Sequence, residues 1–509
     1  MTADAVQPLA ADAAVADSIA VGDDREVATR VETRDLLIVG AGISGIDAAY
    51  RVAHEFPGLS YEILERRDRV GGTWDLFSYP GIRSDSDIFT LSFPFEPWRG
   101  AKQIADGPDI RSYIENTAAK YGIDQRIHTG TSVRSAAWHS DRQEWLVVAE
   151  DRLGPIEYRT RFLYLCTGYY DYDDGYTPDF DGIGDYRGQV IHPQHWPGGE
   201  DFAGKRVVVI GSGATAVTLA PALVRAGAQV QMLQRSPSYV YPVPTVSRLA
   251  DTTRKVLPAK LAHDAIRYKN AWWTATIFQI CRKFPNYARR LLTKKMAKAL
   301  PEGYATDVHF NPRYAPWDQR LCADADSALF AEIATGDLEV VTDRIDRFTE
   351  TGITLTSGRE LEADVVVTAT GLKLQAFGGI ALTVDGLDVV PGERFVYKGY
   401  MLDGVPNFGW SVGYTNASWT LRADLSARAL VRLMGYMRGK GYRVAYPHRG
   451  DEPIEARPFF NLTSGYLQRE GNIMPQSGSR RPWAIEHHYF ADALAHRRDD
   501  ITVNMVFTR

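Results

Sequence analysis

Cysteine is scarce in this chain. Only Cys166, Cys281 and Cys322 occur in 509 residues, widely spaced and without a Cys-x-x-Cys pair. That excludes a disulfide framework and a cysteine-based zinc cluster, and reduced thiols fit a cytoplasmic protein. A basic surplus is also missing: 58 Lys and Arg stand against 63 Asp and Glu, a net charge of −5. General nucleic-acid binding, which needs such a surplus, is therefore not expected. No apolar run approaches the roughly 18 residues of a membrane span. The N-terminus lacks a basic leader, and aspartates interrupt its apolar stretch, so no signal peptide is expected. Repeats of fixed period are absent as well.

What is present is an ordinary globular composition, 45% hydrophobic and 24% charged. At roughly 150 residues per domain the length suggests about three structural units. Residues 1–34, rich in Ala, Asp and Val, read as a disordered tail. Leu36–Val39 is then a short apolar run suited to a buried parallel strand. Gly40, Gly42 and Gly45 form GxGxxG, and Ile46–Ala53 continues as a helix. The first glycine makes the turn, the second lets the backbone approach a pyrophosphate, and the third lets helix and strand pack closely. The helix N-terminus offers free N–H groups to the phosphate. The next strand ends at Glu65, whose carboxylate can accept both ribose hydroxyl protons.

The design recurs. Arg206–Ile210 is a strand, Gly211, Gly213 and Ala216 form the turn, a helix runs to about Ala226, and a strand ends near Gln234. Here the strand end carries Arg235 and Ser236 in place of an acid. A guanidinium can pair bidentately with a 2′-phosphate that a carboxylate would repel, so the second nucleotide should be NADPH. Two nucleotide turns imply a hydride donor and an acceptor, and a flavin is the usual acceptor. Two apolar strands running into Thr167-Gly168 and Thr370-Gly371 mark the expected crossings between the nucleotide domains.

The stretch YRGQVIHPQHWPGG, Tyr186 to Gly199, cannot be a helix because Pro193 and Pro197 interrupt it. It resembles the fingerprint FxGxxxHxxxW(P/D) of the Baeyer–Villiger monooxygenases, a branch of the class B flavoprotein monooxygenases. Gly188, His192, Trp196 and Pro197 match it, and Tyr186 stands in place of Phe. In GGTWDLFSYPGIRSDSD, Gly72, Trp74, Tyr79, Pro80, Gly81 and Asp85 fit a second motif of the family, and Ser78 stands where many relatives carry Arg. RYAPWDQRLCADAD is similar to the segment with the family's active-site arginine, here Arg320. Gln319 stands where some relatives have a lysine that helps hold the 2′-phosphate. FNPRYAPWDQRLC, TATGLKLQAFGG and GYTNASWTL are similar to the ethionamide-activating subgroup, which acts on ketones and oxidises thioamide and sulfide sulfur.

The resemblance implies an α/β fold of two Rossmann-like domains with a helical insert. FAD would meet Gly40, Gly42, Ser44, Gly45, Glu65, Gly72, Thr73, Trp74, Asp85 and Val133. NADP would meet Gly211, Ser212, Gly213, Ala214, Thr215, Ala216, Arg235 and Ser236. The FAD domain would occupy 35–168 and 372–509, the NADP domain 169–238 and 318–371, and the insert 239–317. The implied reaction inserts one oxygen atom of O2 beside a ketone carbonyl, through a flavin C4a-peroxide, to give an ester or lactone. Arg320 would stabilise the developing anions, and Asp85 would orient Arg320. Oxidation of sulfides or thioamides is expected beside it. A related N- or S-oxygenating flavoenzyme and a catalytically silent redox sensor remain alternatives.

His192 is expected to hydrogen-bond the backbone and fix the linker between the domains, with Trp196 as an aromatic anchor. A disulfide reductase would need a cysteine pair between Gly45 and Ser135, and there is none. A metal site on His192 and His195 lacks a third ligand. The insert is lopsidedly basic, with Arg267, Lys269, Arg282, Lys283, Arg289, Arg290, Lys294, Lys295 and Lys298 beside Trp272, Trp273, Ile277 and Phe278. A solvated basic face near an anionic cofactor's entrance is the expected reading, with membrane-surface contact as the alternative. The sequence leaves monomer and dimer open.

Overall fold

The computed structural model describes residues 30–451, 453–460, 462–469 and 473–509. The apolar run Leu36–Val39 is the buried end of a strand, Arg30–Val39. Side chains alternate across a strand, so Leu36 and Ile38 enter one core while Leu37 and Val39 enter the other. A strand buried on both faces suits the centre of a covered sheet. This strand pairs in parallel with Tyr61–Leu64 on one side and Gly154–Leu165 on the other. Helices Ile43–Glu55 and Trp419–Lys440 pack against each other on one face.

The strand starts before residue 35. Arg30–Arg34 pair with Ile156–Thr160, and Arg34 Nε donates to Glu62 at 2.7 Å. Their polar, partly exposed side chains gave no apolar signal, yet the backbone ladder orders them, so the tail ends earlier than expected. Its remaining part, residues 1–29, lies outside the described residues.

An antiparallel arm, Ser132–His139 with Glu144–Asp151, extends this nine-stranded sheet. Strands from far along the chain complete it. Ala381–Val384 pairs with Ser132–His139, and Phe408–Trp410 with the end of Gly154–Leu165. The second sheet has five parallel strands, in the order Leu338–Thr342, Gln229–Gln234, Arg206–Ile210, Val365–Thr368, Gln189–Ile191. Helix Ala214–Arg225 follows its glycine turn. The two crossings pair with each other as an antiparallel ribbon, Tyr170–Gly175 with Leu372–Leu374.

Two expectations change. Part of the Tyr186–Gly199 linker is sheet: Gln189–Ile191 is the edge strand beside Val365–Val367. The insert opens with a strand, Val240–Val243, paired with Cys322–Ala325, before helices Arg248–Val256, Ala259–Lys283 and Pro285–Ala299. Arg267 leaves the basic face altogether. It is buried, and its Nη1 donates to the carbonyls of Phe89, Thr90 and Ser92 at 3.1, 3.0 and 2.6 Å. These carbonyls lie in and just past the short helix Ile88–Leu91, where a cation is favoured.

Candidate active site

One cavity of about 1240 Å³ runs from the first glycine turn to the insert helices. Gly40, Gly42, Ser44, Glu65, Gly72, Thr73, Trp74, Asp85 and Val133 all line it. Gly45 lies behind the wall, where a Cβ would come within 1.9 Å of the Gly40 carbonyl oxygen. The glycine is therefore required for helix and turn to close. Glu65 accepts from the amides of Ala41 at 2.7 Å and Arg67 at 2.9 Å. Burial pushes its carboxyl up, and those two amides with Arg67 and Arg66 pull it back. Ser44 Oγ is held by Trp419 Nε1 at 2.8 Å. Thr73 Oγ1 lies 2.6 Å from the Tyr170 hydroxyl. Thr167 Oγ1 is buried in the wall without a hydrogen-bond partner among the described residues. A long polar ligand reaching from a glycine turn past such an orphaned hydroxyl fits this cavity, as an adenine dinucleotide would.

Most of the second glycine turn lies outside this cavity. Thr215 alone of its expected set lines the cavity, and its hydroxyl bonds Tyr79 of the first domain. Gly213 has open space where a Cβ would stand, so a phosphate can approach its backbone. Ser212 and Ala214 flank it, Gly211 opens the turn, and Ala216 is fully buried in the position that packs the helix. Ser212 Oγ donates to the Ser236 carbonyl at 3.0 Å, tying the turn to the next strand end. Arg235 and Ser236 are exposed there, open to a ligand.

Three charged groups converge on the cavity between the two turns. Arg83 Nη1 lies 3.2 Å from Asp85 Oδ1, and Arg83 Nη2 donates to the Ala323 carbonyl. Arg320 lines the same cavity. Burial raises the Asp85 carboxyl, while Arg83 and then Arg320 lower it. Asp85 is thus bonded to Arg83, and the charge of Arg320 bears on it as well. Arg83 was not singled out from the sequence, although alternate residues of an extended segment share a side and Arg83 stands two before Asp85. Tyr241, also missed, lies in the wall, its hydroxyl pushed up by burial and then Asp85. Cys322 is buried and pushed up to about 12, first by desolvation and then by Asp85, so it stays a neutral thiol and not a nucleophile.

The linker residues stand off the cavity. His192 Nδ1 accepts from the Gln194 amide at 3.2 Å, so Nε2 carries the proton and donates to the Gly371 carbonyl at 3.2 Å. The ring thereby joins the edge strand to the second crossing, and a Cβ on Gly175 would lie 1.9 Å from it. Burial lowers the His192 pKa, consistent with a neutral ring. Trp196, itself partly buried, packs against Phe202 of the second domain's core with ring centroids 5.3 Å apart. Tyr186 donates to the Ala363 carbonyl at 3.0 Å, beside Gly188. Pro197 is partly buried just beyond. His195 is exposed, and the described residues contain no group of three metal-ligating side chains.

Residues 37–277 match the family described as pyridine nucleotide-disulphide oxidoreductase. The chain is 50% identical over 468 residues to the FAD-containing monooxygenase EthA of Mycolicibacterium smegmatis, covering 92% of this chain and 95% of that protein. It is 48% identical over 471 residues to EthA of Mycobacterium tuberculosis, at 92% and 96% coverage. The probable FAD-binding monooxygenase AlmA of Acinetobacter baylyi is 44% identical, at 91% and 93% coverage. Among solved structures, the chain shares its fold with an oxidised steroid monooxygenase bound to NADP (TM-score 0.74, 20% identity, 94% of this chain and all of that one). An open cyclohexanone monooxygenase gives a TM-score of 0.73 at 21% identity, with the same coverage.

Proposed function

We propose, for a chain that belongs to the FAD-containing flavoprotein monooxygenases, that it is a Baeyer–Villiger enzyme converting a ketone into an ester or lactone with NADPH and O2. When bound, FAD supplies hydride acceptance from NADPH and activation of O2. The chain supplies position and charge. Gly40, Gly42, Gly72 and Glu65 would hold the FAD pyrophosphate and ribose, and Gly213 with Arg235 and Ser236 would hold the NADPH phosphates.

The observation that carries this reading is the convergence of Arg83, Asp85 and Arg320 on one cavity between the two glycine turns. Two guanidiniums against one carboxylate leave the site cationic. Addition of an oxygen nucleophile to a ketone places negative charge on the former carbonyl oxygen. Fixed cations in a recessed, water-poor site stabilise such charge far more than water does. Neither arginine acts as an acid, because a guanidinium stays protonated. Asp85 is a positioning residue: its bond to Arg83 aims that side chain. Trp273, Ile277 and Ile280 line the cavity on its insert side, where the apolar body of a ketone would lie.

Incubating the holoenzyme with NADPH, O2 and phenylacetone, then analysing products, tests the proposal. Ester formation supports it. Turnover of a sulfide or an amine with no ester from any ketone replaces it with S- or N-oxygenation. NADPH oxidation that yields only hydrogen peroxide removes the oxygenase assignment.

A further inference from the structure

The two long insert helices, Ala259–Lys283 and Pro285–Ala299, carry ten Lys and Arg against one acid, Asp264, in a chain of net charge −5. Three of the cations are engaged within the protein: Arg267 with backbone carbonyls, Arg282 with Asp318 at 2.8 Å, and Arg289 with the Tyr314 carbonyl at 2.9 Å. Lys269, Lys283, Arg290, Lys294, Lys295 and Lys298 have no ion-pair partner among the described residues. Large apolar side chains stand among them in solvent. Trp272 is 58% exposed, Trp273 56%, Phe284 61% and Tyr287 59%, with Leu261 and Tyr268 similarly bare. Trp273, Tyr287 and Lys295 also line the active-site cavity, so its mouth opens on this face.

We propose that this face docks on a membrane surface containing anionic lipids, which places the cavity mouth at the lipid boundary. Exposed aromatics among lysines are the composition of interfacial helices, and cations near an anionic leaflet are drawn to it. The contact lies on the surface, since no helix of the described residues is long and apolar enough to cross a membrane. A second copy of the chain is the poorer occupant, because a two-fold contact would bring unpaired cations against their own images.

The test is co-sedimentation of the full-length holoenzyme with vesicles of phosphatidylcholine alone or mixed with phosphatidylglycerol. It needs no turnover, so its outcome is separate from the oxygenase assignment. Binding to the anionic vesicles should be at least about tenfold tighter than to neutral ones and should weaken in high salt. Lys283→Gln with Lys294→Gln should lose about fivefold per charge, and Trp272→Ser with Phe284→Ser should also weaken binding. None of these four residues belongs to the proposed catalytic site, and circular dichroism would show each variant folded. Absence of binding to anionic vesicles, or binding that no variant changes, overturns the proposal. So does self-association that Trp272→Ser with Phe284→Ser abolishes while vesicles are ignored, which assigns the face to a second copy.

Discussion

At the scale of single residues, charge decides the account. Arg320→Ala should leave NADPH able to bleach the flavin absorbance while ester formation falls by about 10²–10³-fold, the usual effect of losing one oxyanion donor. Arg83→Ala should fall comparably, and unchanged ester yield in both variants removes the cationic site from the mechanism. Because burial raises Asp85 above the ordinary carboxylate value, the acid limb of the pH–rate profile should sit higher than a free carboxylate's. Asp85→Asn should erase that limb. Arg235→Ala should raise the NADPH KM by about 1.5–3 kcal/mol with kcat spared, the loss of a charged hydrogen-bond set. An unaltered NADPH/NADH preference would contradict that role.

Asp47 gives a stability prediction. It is fully buried, neither carboxylate oxygen has a hydrogen-bond partner among the described residues, and burial followed by Asp424 raises its pKa well above normal. A carboxyl raised in the folded state stabilises the fold below its unfolded pKa and loses that contribution as pH rises through the folded value. Asp47→Asn should therefore be more stable than the parent by about 1–3 kcal/mol at neutral pH, and the gap should close in acid. Thermal unfolding across pH reads this directly. Much of the site was legible at this scale. Gly40, Gly45 and Glu65 announce themselves because a turn, a close approach and a strand end each demand a residue type. Arg83 was missed because its anchor, the Ala323 carbonyl, is remote in sequence, and no local pattern encodes such a contact.

At the scale of elements, periodicity served where burial is regular and failed where it is not. The Leu36–Val39 and Arg206–Ile210 strands were readable because both faces are covered. Arg30–Arg34 and Gln189–Ile191 were not, because polar or edge strands owe their order to backbone pairing more than to apolar pattern. The basic count of the insert was readable, but the withdrawal of Arg267 into the core was not, since a cation capping a remote helix looks like any surface cation. The ribbon between the domains invites its own test. In Gly175→Ala the new Cβ meets the His192 ring at 1.9 Å, so the ring must leave the Gly371 carbonyl. Reduction by NADPH should slow, and stability should drop by about 1–3 kcal/mol, as overpacking commonly costs. A variant with parental reduction rate and melting temperature would show that the ribbon tolerates a displaced ring.

At the scale of the whole molecule, two dinucleotide-binding sheets are tied by paired crossings, and the proposed chemistry would fall in the cavity that Arg83 and Arg320 line. The discontinuity of the first sheet follows from this plan: Ala381–Val384 and Phe408–Trp410 return to it only after the second sheet is complete. The proposed function requires that oxygen from O2 be transferred to carbon at this cavity. The most direct measurement is conversion of phenylacetone by the holoenzyme with NADPH under ¹⁸O2, followed by mass analysis of the ester. Incorporation of one ¹⁸O atom into the ester, lost in Arg320→Ala, is the predicted result. An ester without label, or NADPH consumed with the label found only in hydrogen peroxide, would contradict the account.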